Sequence, residues 1–220
     1  MTERKYALFA STSLLVMAFI AFFSYGFVHR NLVIQRDAST TFHNIQTSNS
    51  LFKAEIFGWI IIFLTDIVAA WALYFFLKPI YTSLSLLAAL LRLMYTAILG
   101  IAIFNLILAL LLSKNTIANP ETYTILFLSA FEYIWSVGLI IFGLHLFVLG
   151  YVAFLSKQIP KFISILLFIA AVHYCSSSLS VVNLFIYFFN ISSIFFPLLR
   201  PYFYKTKREV SQLLFSPLTL

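Results

Sequence analysis

Apolar residues run along this chain in long blocks separated by short polar stops. The blocks cover about residues 6–28, 51–77, 81–112, 122–155, 162–176 and 181–199. Several approach or exceed the ~20 residues a helix needs to cross a bilayer. The pattern predicts an all-α fold: six transmembrane helices in one bundle, forming a single integral membrane domain over 1–220. The stops carry the breakers. Lys78-Pro79 makes a tight turn, Ser113 to Glu121 contains Pro120, and Ser156 to Lys161 contains Pro160. A Ser-rich turn at Cys175-Ser176-Ser177-Ser178 closes the fifth block, and Pro197 and Pro201 end the sixth. One longer polar stretch, His29 to Ser50, reads as a solvent-exposed loop with room for a short interfacial helix. His29 and His43 read there as ordinary loop residues, and as a pair they fall short of a metal site.

The arms of the hairpin from Leu51 to Ser113 each bury one charge in an apolar run. Asp66 lies 12 residues before Lys78, and Arg92 lies 13 residues after Pro79. At about 1.5 Å of rise per residue, both sit roughly 18–20 Å from the turn, so antiparallel arms bring acid and guanidinium to one depth. His145 lies 12 residues before Lys157 and Tyr174 lies 13 after Lys161, which puts both near the same level. The faces agree. Trp59, Ile62, Asp66 and Ala70 share one side of the second span, and Ser85, Ala88, Arg92 and Thr96 share one side of the third. In the fourth, Glu132, Ser136, Gly143 and Gly150 line up as a stripe that permits close helix approach, with His145 on another side. Glu132 lies closer to the outer side, as a second site or the mouth of a cavity. Lys53 and Glu55 fall in the outer headgroup zone.

Composition agrees with the blocks. The chain has 220 residues, 62% apolar and 10% charged, against about a quarter charged in soluble domains. The net charge of +7 does not indicate nucleic acid, because the basic residues sit between and beyond the spans. Counted by side, the lead, the turns at 78 and 157–161 and the tail hold nine Lys and Arg, and the opposite loops hold four. The excess belongs in the cytoplasm, which places both termini inside. The first block is long for a signal peptide and has no A-x-A-like cleavage site after it, so it reads as a retained span. The sequon at Asn190 falls inside the sixth block, out of reach of glycosylation. Cys175 stands alone and permits no internal disulfide. There is no Gly-rich phosphate loop, CxxC or HExxH, and no metal or cofactor is expected.

Buried ionisable groups cost at least ~2.5–3.5 kcal/mol each on insertion scales, so these should face the bundle interior and pair. An Asp66–Arg92 pair alone is often only structural. With His145, Tyr174 and Glu132 added, the layer can bind a lipid headgroup or polar metabolite, or move a proton. Three function classes stay open. They are a protein that binds or moves a small or lipid-like ligand, an intramembrane acid–base enzyme, and a scaffold whose charges only hold the bundle. No serine or cysteine is placed beside His145 at that depth, which counts against the enzyme. The expected partner is the lipid bilayer.

The stretches FKAEIFGWIIIFLTDIVAAWALYFFLKPIYTSLSLLAALLRLMYTAI and FGLHLFVLGYVAFLSKQIPKFISILLFIAAVHY carry a likeness. Asp66 before Lys78-Pro79, Arg92, Gly143-x-His145, Gly150-Tyr151, Pro160 and Tyr174 are its marks. From about Tyr6 to Phe195 the chain resembles the domain of unknown function 4386 family of bacterial multi-pass membrane proteins. That resemblance implies a fold, a set of polar positions and a bacterial inner-membrane location, but no reaction. The family pattern often has Asp and His near the positions of Ser129 and Phe131. This chain lacks both and has Glu132 instead.

Overall fold

A computed structural model describes residues 3–34, 37–114, 118–157 and 159–177. Among these residues the chain is all-α. The first rod, α1, starts as an α-helix (Glu3–Ala21), widens into a π-helical stretch (Phe22–His29) and closes with a last α turn (Arg30–Leu32). A short helix α2 (Ala38–Thr47) comes next, then α3 (Asn49–Leu77), α4 (Thr82–Leu112), α5 (Pro120–Leu155) and α6 (Lys161–Ser177). Four helical segments are long and apolar enough to cross a membrane: Arg4–Leu32, Asn49–Leu77, Thr82–Leu112 and Pro120–Leu155. α6 is apolar but shorter. The expected sixth span, with the sequon at Asn190 and the basic tail, lies outside the described residues.

Local chemistry sets the boundaries. Leu77 ends α3 because Pro79 comes within two residues, and the turn is held by the Ile80 N–H donating to Leu77 O at 2.9 Å. α5 begins with Pro120 in its first turn, preceded by Asn119 at φ 53°, a left-handed conformation that Asn tolerates. Asp37 caps α2, accepting from the Thr40 N–H at 2.9 Å and the Thr40 hydroxyl at 2.7 Å. α2 is then tied down at both sides. The Asn44 side-chain amide donates to Leu32 O at 3.2 Å, and that of Gln46 donates to Ser113 O at 3.1 Å. The polar stretch from His29 to Ser50, expected as an exposed loop with room for a short interfacial helix, is largely helical among its described residues. α1 runs through His29 to Leu32, and α2 takes up Ala38–Thr47.

The long helices pack in a series: α1 chiefly on α3, α3 on α4, α4 on α5, and α5 on α6. Small residues bring them close. A Cβ on Gly143 would meet Cys175 Sγ at 2.7 Å and the Ala171 carbonyl at 3.0 Å, so α5 and α6 touch there nearly backbone to backbone. Large apolar side chains fill the core, with Trp59, Phe52 and Phe131 fully buried, and they cover the outside as well. Phe19, Phe57, Phe104 and Val172 are each more than 60% exposed, the distribution expected when the solvent is lipid.

Candidate functional site

The expected faces of α3 and α4 turn inward. Trp59, Ile62, Asp66 and Ala70 on α3 are buried, as are Ser85, Ala88, Arg92 and Thr96 on α4. Asp66 and Arg92 meet across the interface. Arg92 Nε donates to Asp66 Oδ1 at 2.8 Å, and Arg92 Nη2 reaches the same oxygen at 2.6 Å. Among the described residues, Asp66 Oδ2 is buried and has no hydrogen-bond partner. His145 on α5 joins from the third side, with Nε2 3.3 Å from Arg92 Nη1 and Nδ1 2.8 Å from the Ala88 carbonyl. These contacts assign the tautomer. A guanidinium only donates, so Nε2 accepts; a carbonyl only accepts, so Nδ1 carries the proton. His145 is a neutral imidazole with both nitrogens engaged. Met17 Sδ lies 3.8 Å from Arg92 Nη2, and the Phe142 ring centroid lies 5.4 Å from Arg92 Cζ. Tyr174 on α6 is buried and sets its ring edge-on to Phe142 at 5.3 Å. Tyr174 thus borders the cluster through Phe142.

Glu132 lies elsewhere. It is 13 residues from His145 on α5, roughly 20 Å along the helix, and belongs to a second cluster. There His29 Nδ1 lies 2.7 Å from Glu55 Oε1, and His29 Nε2 lies 3.3 Å from Glu132 Oε1. His29 and Glu55 are buried, whereas the Glu132 side chain is 26% exposed. Among the described residues, Glu55 Oε2 has no hydrogen-bond partner, and neither has Trp59 Nε1 one turn further along α3. The two clusters are joined by rings. His29 stacks on Tyr25 (5.2 Å, 15°), and Tyr25 packs edge-on to Trp135 (5.1 Å). Trp135 Nε1 donates to Tyr95 OH at 3.3 Å, and Tyr95 packs on Phe142 at 4.9 Å, above Arg92.

Against known proteins, residues 9–204 match the family described as "Domain of unknown function (DUF4386)". The chain belongs to that family. A second protein, described as an uncharacterized protein of Archaeoglobus fulgidus, is 35% identical over 120 residues, 54% of this chain. The match spans 62% of that relative's length. No solved structure matches.

In this DUF4386 protein, sequence reasoning missed His29 and Glu55. His29 was expected in a loop because polar residues come after Val28, yet the helix continues past it and turns it inward. Glu55 was expected among headgroups because Lys53 is nearby. A signal was present: Glu55, Trp59, Ile62 and Asp66 lie at intervals of four, three and four residues, so the inward face of α3 begins a turn earlier. His43 is exposed on α2. Among the described residues, no group of three or more His, Cys, Asp or Glu side chains is arranged to hold a metal ion.

Proposed function

We propose that this chain is a single-domain, six-span protein of the cell membrane with both termini in the cytoplasm, and that it binds or moves a small or lipid-like ligand through its polar interior. The shorter helix α6 and the apolar run 181–199 would complete the six spans, and the excess of Lys and Arg supports the orientation. A bacterial inner membrane is the setting the family resemblance implies.

One observation carries the ligand reading: Asp66 Oδ2 is buried and unpartnered while Oδ1 takes both bonds from Arg92. A pure staple would spread the guanidinium over both oxygens, the two-pronged geometry that Arg favours. The unused oxygen offers an acceptor to a ligand bearing N–H or O–H groups, with Arg92 and Tyr174 nearby for its polar or aromatic parts. An acid–base enzyme at His145 is less well supported, because both ring nitrogens are already bonded. That same closure favours the second reading, a scaffold whose charges only tie α3, α4 and α5 together.

A density map of the full chain in native lipid separates the two. The expected result is a bound molecule within hydrogen-bond reach of Asp66, absent in Asp66→Ala. A tightly filled interior with no such molecule overturns the ligand reading and leaves the scaffold.

A further inference from the structure

We propose that His29, Glu55 and Glu132 form a proton-binding relay, with Glu132 as its entrance and Glu55 as its buried terminus. This goes beyond the ligand reading and does not depend on it, since it uses the other polar cluster.

Hydrogen-bond valence is the starting point. Each ring nitrogen of His29 faces a carboxylate oxygen, at 2.7 Å on the Glu55 side and 3.3 Å on the Glu132 side. A neutral imidazole has one N–H, so it fills one of these contacts and turns a lone pair on the other acceptor. Filling both takes one more proton, on the second nitrogen or on a carboxyl. The cluster is therefore one proton short whenever His29 is neutral and both acids are ionised.

Access is graded along the three groups. Glu132 is partly exposed, His29 is buried and Glu55 is completely buried. Glu55 Oε2 is a buried acceptor without a partner, which makes the inner end the costlier place for a bare charge. Among the described residues, rings also face His29: Tyr25, stacked on it from its own helix, and Phe131 from α5, tilted at 5.6 Å. Beyond Tyr25, the Arg30 guanidinium lies 5.9 Å from the centroid of that ring. The imidazole fills the space between the two acids, so a cation larger than a proton would have to expel it. The backbone is unusual at the same place. His29 ends an eight-residue π-helical stretch, a rare form that often marks functional positions.

The transfer balances without a co-reactant. With His29 neutral and its proton on Nδ1, an acidified Glu132 breaks its O–H bond as Nε2–H forms. Nδ1–H then breaks as O–H forms on Glu55 Oε1. The ring ends neutral with its proton on Nε2, Glu132 ends ionised, and one proton has moved inward. Asp, Glu and His chains of this kind carry protons in membrane pumps and transporters.

The test is infrared difference spectroscopy on the full chain in lipid nanodiscs after a downward pH jump in the bath. A carboxylic-acid carbonyl band should rise in the wild type and be lost in Glu55→Gln. In His29→Phe, which keeps a ring but removes both nitrogens, its rise should slow by about tenfold or more. Glu132→Gln alters only the exposed end, and it should keep the band but slow its rise, so the relay stays testable if His29→Phe does not fold. The relay is overturned if no band depends on Glu55. It is also overturned if a folded His29→Phe responds at the wild-type rate, or if Glu132→Gln does.

Discussion

Arg92 places two of its N–H groups on a single oxygen of Asp66, and the other oxygen of that carboxylate stays buried without a partner among the described residues. The pair is therefore strong and incomplete together. Breaking one member of a buried ion pair costs about 3–5 kcal/mol, because the remaining charge is stranded, whereas replacing both with apolar residues is often neutral or better. Arg92→Met alone should lower the thermal unfolding temperature markedly. Arg92→Met with Asp66→Leu should recover most of that loss. Equal stability of the single and double variants, measured in the same detergent, would mean that the pair contributes nothing.

His145 closes the cluster from α5. Replacing it with Phe retains a ring but orphans Arg92 Nη1 and removes the second donor from the Ala88 carbonyl, which keeps its helical bond inside α4. Each orphaned buried group costs about 1–3 kcal/mol. We expect His145→Phe to destabilise by an amount in that range or above it, and to do so less in a background already carrying the Arg92/Asp66 double replacement. A double-mutant cycle on thermal stability reads the coupling directly. Additivity of the two changes would place His145 outside the cluster energetically.

The meeting of Asp66, Arg92 and His145 was legible because two turns act as rulers. Lys78-Pro79 fixes the level of Asp66 and Arg92, and Lys157 fixes that of His145, since a helix advances a constant distance per residue. The inward faces were legible from spacing alone. The second cluster was not, and the reason is physical. Reading by polarity ends a span where polar residues begin, but a helix can continue through them when its polar side chains find partners. His29 does so with Glu55 and Glu132, three groups whose partnership spans 26 and 103 residues of sequence. Tyr174 was expected at that level from its distance from Lys161; it sets its ring edge-on to Phe142, a residue that no count of charges singles out.

Gly143 and Gly26 give a contrast in packing. A Cβ on Gly143 would press on Cys175 Sγ at 2.7 Å and on the Ala171 carbonyl at 3.0 Å, and the second of these is backbone that cannot swing away. A Cβ on Gly26 would meet only the Phe22 ring, at an ordinary 3.5 Å. Gly143→Ala should therefore destabilise by about 1–3 kcal/mol through overpacking of α5 on α6. Gly26→Ala should cost nothing, and can gain slightly by stiffening the unfolded chain. Thermal unfolding in detergent compares them. A neutral Gly143→Ala would mean that α6 is free to shift outward.

Asp37 supplies a pH-dependent contact outside the long helices. The Thr40 backbone N–H holds its carboxyl below the ordinary Asp value, and the Thr40 hydroxyl adds to that, while the group itself is exposed. A carboxylate whose folded pKa is depressed stabilises the fold above its unfolded pKa and loses that contribution as pH falls through the folded one. The cap on α2 should thus hold at neutral pH and weaken below about pH 4. Amide exchange at Thr40 and Thr41 should speed up in acid beyond its intrinsic pH dependence. Asn caps a helix about as well as Asp without titrating, so Asp37→Asn should keep α2 protected at neutral pH and remove the acid-dependent part. An acid response that survives in Asp37→Asn would assign it to another group.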